Sequence, residues 1–140
     1  MKNLAVALLL ITTTAFTSCR TTKASMPAEL LTASTWQLSE MNGKSIDATG
    51  YSRGLPEVSF TTDNKVSGNS GCNGFSGSYN LNDTGGMNIS RVMATKMYCD
   101  GVNEGDFFAA LEKVTMSKAE KDKLTLFTGT DEILVFVPKK

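Results

Sequence analysis

The sequence predicts a mainly β, α+β fold: an antiparallel, barrel-like or strongly curved sheet of about seven to eight strands, with one helix covering an opening or one face. Three observations carry this. Short strand-like runs, most of them alternating apolar and polar residues, recur from residue 34 to residue 137, each bounded by turn-forming residues. Helical spacing occurs in a single late stretch, around Phe107, Phe108, Leu111 and Val114, whereas a parallel βαβ sheet needs a helix between successive strands. Four glycines fall within residues 66–79, where a regular strand carries β-branched side chains. Such glycines supply the bends that a curled sheet requires.

The first strand is expected over residues 34–39, where Trp36 and Leu38 alternate with polar neighbours, and Asn42-Gly43 turns the chain after it. Residues 47–55 hold two glycines and no periodicity, so they read as a loop, with Pro56 opening the next strand at a sheet edge. That strand, residues 57–62, buries Val58 and Phe60. Asp63-Asn64 makes the hairpin turn into Val66, because both residue types tolerate positive φ. The glycine-rich run that follows is a corner, since a glycine inside a strand pattern marks a bulge, a bend or another backbone passing close by. From Phe75 the alternation resumes, with Phe75, Gly77, Tyr79 and Leu81 on one face and Ser76, Ser78, Asn80 and Asn82 on the other.

Residues 82–86 form another turn, after which Met87 and Ile89 alternate in a further strand. In residues 91–99, Met93, Thr95, Met97 and Cys99 share a face, and the methionines read as core filler rather than as an adaptable binding surface. Asn103 caps the helix, with Glu104 and Asp106 in its first turn, where the dipole favours negative charge, and Lys113 near its end. Asp100, Glu104 and Asp106 lack the oxygen-ligand spacing of a calcium loop. β structure returns over residues 115–118, 123–127 and 133–137. The last of these runs is apolar on both faces, so it belongs centrally or beneath the helix, and Pro138 ends it.

Fourteen basic residues balance fourteen acidic ones, and histidine is absent. The charge balance leaves no field to draw nucleic acid or an anionic membrane surface. The missing histidine removes the commonest metal ligand and the commonest general base near neutral pH. No metal, cofactor or nucleic-acid partner is expected, and the chain reads as a monomer. Residues 1–18 read as a lipoprotein signal peptide: a basic start, an apolar run of about 13 residues that is too short to span a bilayer, and a small-residue end. Phe16-Thr17-Ser18-Cys19 resembles a lipobox, which makes Cys19 the lipidation site, residues 19–29 a tether and residues 30–140 the folded domain. Arg20 after that cysteine, by resemblance to sorting rules, points to the outer membrane with the domain facing the periplasm. Ordinary secretion is the alternative. With Cys19 so used, Cys72 and Cys99 remain as an even pair in an oxidising compartment and read as a disulfide. Closing a loop of about 27 residues is worth roughly 3.5 kcal/mol on the chain-entropy account. The alternatives are a metal site, for which two cysteines without histidine or Cys-x-x-Cys spacing supply too few soft ligands, a redox pair, whose usual Cys-x-x-Cys turn is absent, and two buried free thiols.

Ser67-Gly68-Asn69-Ser70-Gly71-Cys72-Asn73, continuing through Phe75, Gly77 and Tyr79, resembles the signature of the META domain, the HslJ-like family of small envelope proteins. The likeness extends through Trp36, Leu38, Asn42-Gly43 and Phe60, then Thr95-Lys96-Met97-Tyr98-Cys99, Glu104, Leu111, Leu124, Leu126 and Phe136. Gly74 stands where a long basic side chain is common in that family, and Tyr98 where a small residue is common. The resemblance implies a lipoprotein or secreted domain associated with envelope stress, heat response or antibiotic tolerance, and it supplies no catalytic residues.

The expected function is that of a non-enzymatic envelope lipoprotein module that binds an unidentified envelope protein or small ligand, with Asn73, Ser76 and Ser78 as its polar contact surface. One alternative is an inhibitor of a wall-degrading enzyme such as lysozyme, since Ser76-Gly77-Ser78-Tyr79 resembles the Ser-Gly-rich motif of one inhibitor class. The other is a thiol/disulfide redox protein acting through Cys72 and Cys99.

Overall fold

A computed structural model describes residues 27–140. The chain runs through α1 (Pro27–Thr32), β1 (Thr35–Met41), β2 (Lys44–Ser45), one 3-10 turn (Ala48–Gly50), β3 (Glu57–Phe60), β4 (Lys65–Asn69), β5 (Gly74–Leu81), β6 (Met87–Ala94), α2 (Glu104–Glu112), β7 (Met116–Ala119), β8 (Leu124–Thr128) and β9 (Asp131–Pro138). All strand pairings are antiparallel, in the order β6-β5-β4-β3-β1-β9-β8-β7, and the two-residue β2 adds to β1 as a ninth strand. The outermost strands meet at one point. Gly86 bridges Met116, flanked by hydrogen bonds from Met87 N–H to the Thr115 carbonyl (3.0 Å) and from Ser117 N–H to the Gly85 carbonyl (2.8 Å). The sheet is therefore curled until its ends touch without closing into a continuous barrel, in keeping with the expected fold class.

The inward faces of the strands meet around Trp36, Leu38, Val58, Phe60, Leu126 and Phe136, each 3% exposed or less. Helix α2 packs against β6 and β9, and α1 against β3 and β7. Neither pair is adjacent in the sheet, so each helix lies across an opening of the curl. Phe107 of α2 stacks edge-on against Phe75 and Phe108, with ring centroids 5.9 and 5.8 Å away, and so ties the helix to β5. As the apolar pattern of its last strand requires, β9 lies between β1 and β8.

Pro27–Glu29, expected at the end of a tether over residues 19–29, belong to α1, and the rest of that expectation lies outside the described residues. Proline suits a helix start, where its missing N–H has no partner to lose. Leu31 of this helix is fully buried, and its carbonyl accepts the Trp36 indole N–H at 2.8 Å. A six-residue helix offers too few turns for a periodic signal. The edge position expected for the strand after Pro56 is also corrected. β3 is interior, paired with both β1 and β4, and the Pro56 carbonyl takes the Leu38 N–H at 2.8 Å. Proline at the strand's first position is compatible with either place.

The turns follow their residues. Asn42 and Gly43 both take positive φ (50° and 73°), as does Asn64 (61°). Two glycines in the corner run are required by close approach. A Cβ on Gly68 would overlap the Glu57 carbonyl oxygen, and one on Gly77 would stand 2.9 Å from the Ser90 carbonyl oxygen. Gly77 sits opposite a bulge in β6, where the register shifts between Ser76 and Ser78 and Arg91 adopts φ of 56°.

That bulge overturns the core reading of residues 91–99. Counting by twos from Ile89 puts Met93 inside, but one inserted residue reverses the faces. Val92 packs against the core instead, and Met93 is 72% exposed. β6 ends at Ala94, and Met97 beyond it is 46% exposed.

Candidate functional site

The densest polar cluster lies where the β4–β5 hairpin loop, residues 70–73, meets the segment after β6 and the start of α2. The Asn73 side chain is 2% exposed, and both of its polar atoms are fully used. Its Oδ1 accepts from the Thr95 hydroxyl and the Met97 N–H, each at 2.7 Å, and its Nδ2 donates to the Met97 carbonyl at 2.9 Å and to Glu104 Oε2 at 2.6 Å. Glu104 Oε1 accepts the Asn73 backbone N–H at 3.0 Å and the hydroxyl of buried Ser70. Ser70 has one proton to give, and the charged acceptor is the stronger partner. The hairpin itself closes through Ser70 N–H to the Asn73 carbonyl at 2.9 Å. Beside this network the Cys72–Cys99 disulfide joins the same two segments, with Cα atoms 5.9 Å apart. Cys72 is buried, and the Gly71 backbone (φ 96°) lies against the ring of Tyr51.

The helix-start reading of Glu104 thus misses its partners. It is the first residue of α2, as expected, but its carboxylate turns back to the hairpin loop. Asn103 occupies the cap position without making a side-chain cap bond, and donates instead to Asp106 at 2.7 Å. Burial raises the Glu104 pKa, but the bonds from the Ser70 hydroxyl, the Asn73 side chain and the Asn73 N–H together outweigh it, and the net direction is downward from 4.5. A carboxylate with a lower pKa folded than unfolded adds stability that is full above the unfolded value and is lost as pH falls through the folded one. Melting temperature is therefore expected to fall as pH drops below about 4.5. In Glu104→Gln the fall should be shallower over the same interval. Parallel melting curves from pH 7 to pH 3 check this, and equal slopes would remove Glu104 as a contributor.

The second feature is on the outer face of the sheet. The pairings Thr35–Ser59, Ser59–Ser67, Ser67–Ser76 and Ser76–Met93 place these residues in one row across five strands. The small side chains floor an open trough of about 730 Å³, with Glu57, Asn69 and Lys139 among its walls. An adjoining hollow of about 430 Å³ shares Ser67, Ser76 and Met93 and reaches Lys65, Ser78 and Arg91. Thr35 and Ser59 share a hydroxyl hydrogen bond of 2.8 Å, whereas Ser67, Ser76 and Ser78 make no side-chain hydrogen bond to the described residues.

The expected contact surface of Asn73, Ser76 and Ser78 therefore divides. Asn73 is internal, because a hairpin-loop residue can turn its amide under the following segment, while Ser76 is exposed and Ser78 half-buried on the outer face. Cys72 and Cys99 are joined as expected. Cys19 lies outside the described residues. Glu104 and Ser70 belong to this clamp of the hairpin loop on the segment after β6, although neither stands out in the sequence as a partner of Asn73: Glu104 lies 31 residues away, beyond any local period, and Ser70 sits with Asn73 in a loop, where neither strand nor helix spacing applies.

The family model for the META domain matches residues 29–140. No curated protein matches the chain at a significant level. Solved structures share the fold. An NMR structure is 27% identical over 79% of this chain and 92% of its own, with a TM-score of 0.61. A protein from Burkholderia xenovorans, also solved by NMR, is 21% identical over 99% of this chain and 96% of its own, with a TM-score of 0.63. A DUF4847 family protein from Bacteroides vulgatus is 15% identical over 81% and 97%, with a TM-score of 0.58.

Proposed function

This chain belongs to the META domain family, and from that premise we propose that it is a non-enzymatic, lipid-anchored envelope module whose outer sheet face binds an envelope component. The observation that carries this reading is the use made of the signature residues. Ser70, Asn73 and Glu104 are the groups best equipped for chemistry, and their polar atoms are spent on holding the fold. A group so committed is a poor proton carrier or nucleophile. The free hydroxyls lie instead along the trough, where they suit recognition of a polar partner. Lipid on Cys19, outer-membrane placement facing the periplasm and a part in envelope stress or antibiotic tolerance complete the proposal, with the domain acting as a monomer. Cys72 is buried and Cys99 half-buried, which favours a structural bond over redox exchange, since exchange needs a readily accessible sulfur.

In cells, a photoreactive side chain placed at Ser76 is expected to give discrete adducts on irradiation, whereas the same group at Lys121, on the β7–β8 turn, gives none. Matching patterns at the two positions, or no adduct at Ser76, would reject the outer face as the contact surface.

A further inference from the structure

We propose that Lys65, Ser78 and Arg91 form a subsite for a phosphoryl group at one end of the outer-face trough. This rests on the reading of that face as the binding surface and names the chemistry it would take. Lys65 pairs directly with Ser78 across β4 and β5, and Ser78 pairs with Ser90, the neighbour of Arg91, across β5 and β6. Lys65 and Ser78, as direct cross-strand partners, stand about 5 Å apart at Cβ. Arg91 is the extra residue of the bulge opposite Gly77, one position beyond Ser78's own partner Ser90, and it lines the same 430 Å³ hollow from the β6 side, so one oxyanion in that hollow has both cations and the Ser78 hydroxyl around it. Ser67 and Ser76, paired with each other in the next row, add two more hydroxyls.

Arg91 is the informative member. It holds φ of 56° at the bulge, a conformation in which glycine is at ease and an arginine is not. The bulge exists because Gly77 leaves room for it, and its effect is to bring an extra exposed side chain beside Ser78. A residue held against its backbone preference points to a use for its side chain. Among the described residues the ion pairs are Lys118–Glu120 and Lys139–Glu57, so neither Lys65 nor Arg91 is neutralised by one. Asp63, two residues from Lys65, accepts the Thr61 hydroxyl and is near enough for the Lys65 charge to help lower its pKa, but it forms no ion pair with that lysine and stands fully in solvent. Arginine and lysine together with hydroxyls form the donor set that phosphoryl oxygens use. The trough beyond, with its row of serines, would take the polar remainder of the molecule, whether a free phosphomonoester or the headgroup of a phospholipid.

The test is an amide NMR titration of the chain as its own cells make it, purified in neutral detergent, at low ionic strength. Glycerol phosphate is expected to shift the amides of Ser67, Gly77, Ser78 and Val92 saturably, and glycerol is not. Lys65→Gln and Arg91→Gly should each weaken binding by about tenfold, as loss of a charge-assisted hydrogen bond implies. Arg91→Gly keeps the bulge and relieves its backbone, so its melting temperature should hold or rise, which separates lost binding from lost fold. Phosphatidylglycerol, against phosphatidylcholine, added to the same detergent micelles identifies the source: shifts of these amides that the two substitutions weaken assign the site to lipid headgroups, and a response to glycerol phosphate alone assigns it to a soluble ligand. Absence of saturable shifts with both glycerol phosphate and phosphatidylglycerol, or binding that both substitutions leave unchanged, overturns the proposal. Adducts from Ser76 without phosphoryl binding would leave the contact surface standing and remove this subsite, whereas phosphoryl binding without adducts would do the reverse.

Discussion

Asn73→Ala is expected to lower the stability of the domain by about 3 kcal/mol, measured as a reduced denaturation midpoint at unchanged slope. The alanine removes four side-chain hydrogen bonds, two accepted and two donated. Each bond to a buried group is worth about 1 to 3 kcal/mol once a partner is stranded. The full sum is not reached, because Thr95 and Met97 lie in an exposed segment where water can replace the lost amide. The Glu104 carboxylate retains Ser70 and the Asn73 backbone N–H. Asn73→Asp makes a sharper test. It keeps the shape but replaces the amide donor that faces Glu104 with a second carboxylate, and two carboxylates at hydrogen-bonding distance raise the pKa of the pair. A pair whose pKa is raised on folding loses stability as pH rises, so this variant should gain stability on acidification through the carboxylate range while the parent chain loses it. A cost below about 1 kcal/mol for Asn73→Ala, or the same pH trend in both chains, would show that the amide does not hold the corner.

Much of this architecture can be read from residue types because the physics involved is local. Alternation placed Trp36, Leu38, Val58, Phe60, Phe75 and Tyr79 inside, where they are 5% exposed or less. Asn42-Gly43 and Asn64 marked their turns through their tolerance of positive φ. The unreadable parts are those in which one residue changes the count or a partner lies far along the chain. Gly77 announced a bulge without saying which neighbour would carry the extra residue, and that residue, Arg91, reversed the faces of the rest of β6. Met93 therefore looked like core and is surface. The clamp was half legible. Cys72 and Cys99 could be paired by counting, since disulfide chemistry needs only two thiols and an oxidising compartment. No comparable arithmetic joins Asn73 to Glu104, because an amide and a carboxylate have many possible partners. Helix-start electrostatics already accounted for the acid, and so concealed its second role.

Removing the disulfide, as Cys72→Ala with Cys99→Ala, is expected to reduce stability by about 3.5 kcal/mol, the loop-closure value for a bridge across this separation. It is the interaction with Asn73 that makes the measurement informative. The bridge and the amide hold the same two segments together, and they lie side by side: Cys72 precedes Asn73, and Cys99 follows Met97 by two residues. Both oppose one event, the lifting of residues 95–103 from the hairpin loop. The sheet beneath does not depend on that segment, since β6 ends at Ala94 and its pairing with β5 continues to Met87. Once the segment is free, neither fastening is present in the folded state, and no further free energy can be lost by removing the second. The combined variant should therefore cost less than the roughly 6.5 kcal/mol sum of the two, by an amount that a double-mutant cycle reads directly. Hydrogen exchange should show protection lost at Met97 and the first turn of α2 while β1 and β9 stay protected, the pattern of local rather than global opening. Full additivity, with protection lost evenly across the sheet, would mean that the corner and the bridge stabilise the whole fold independently. In that case the signature would be part of the cooperative core rather than a latch on its rim.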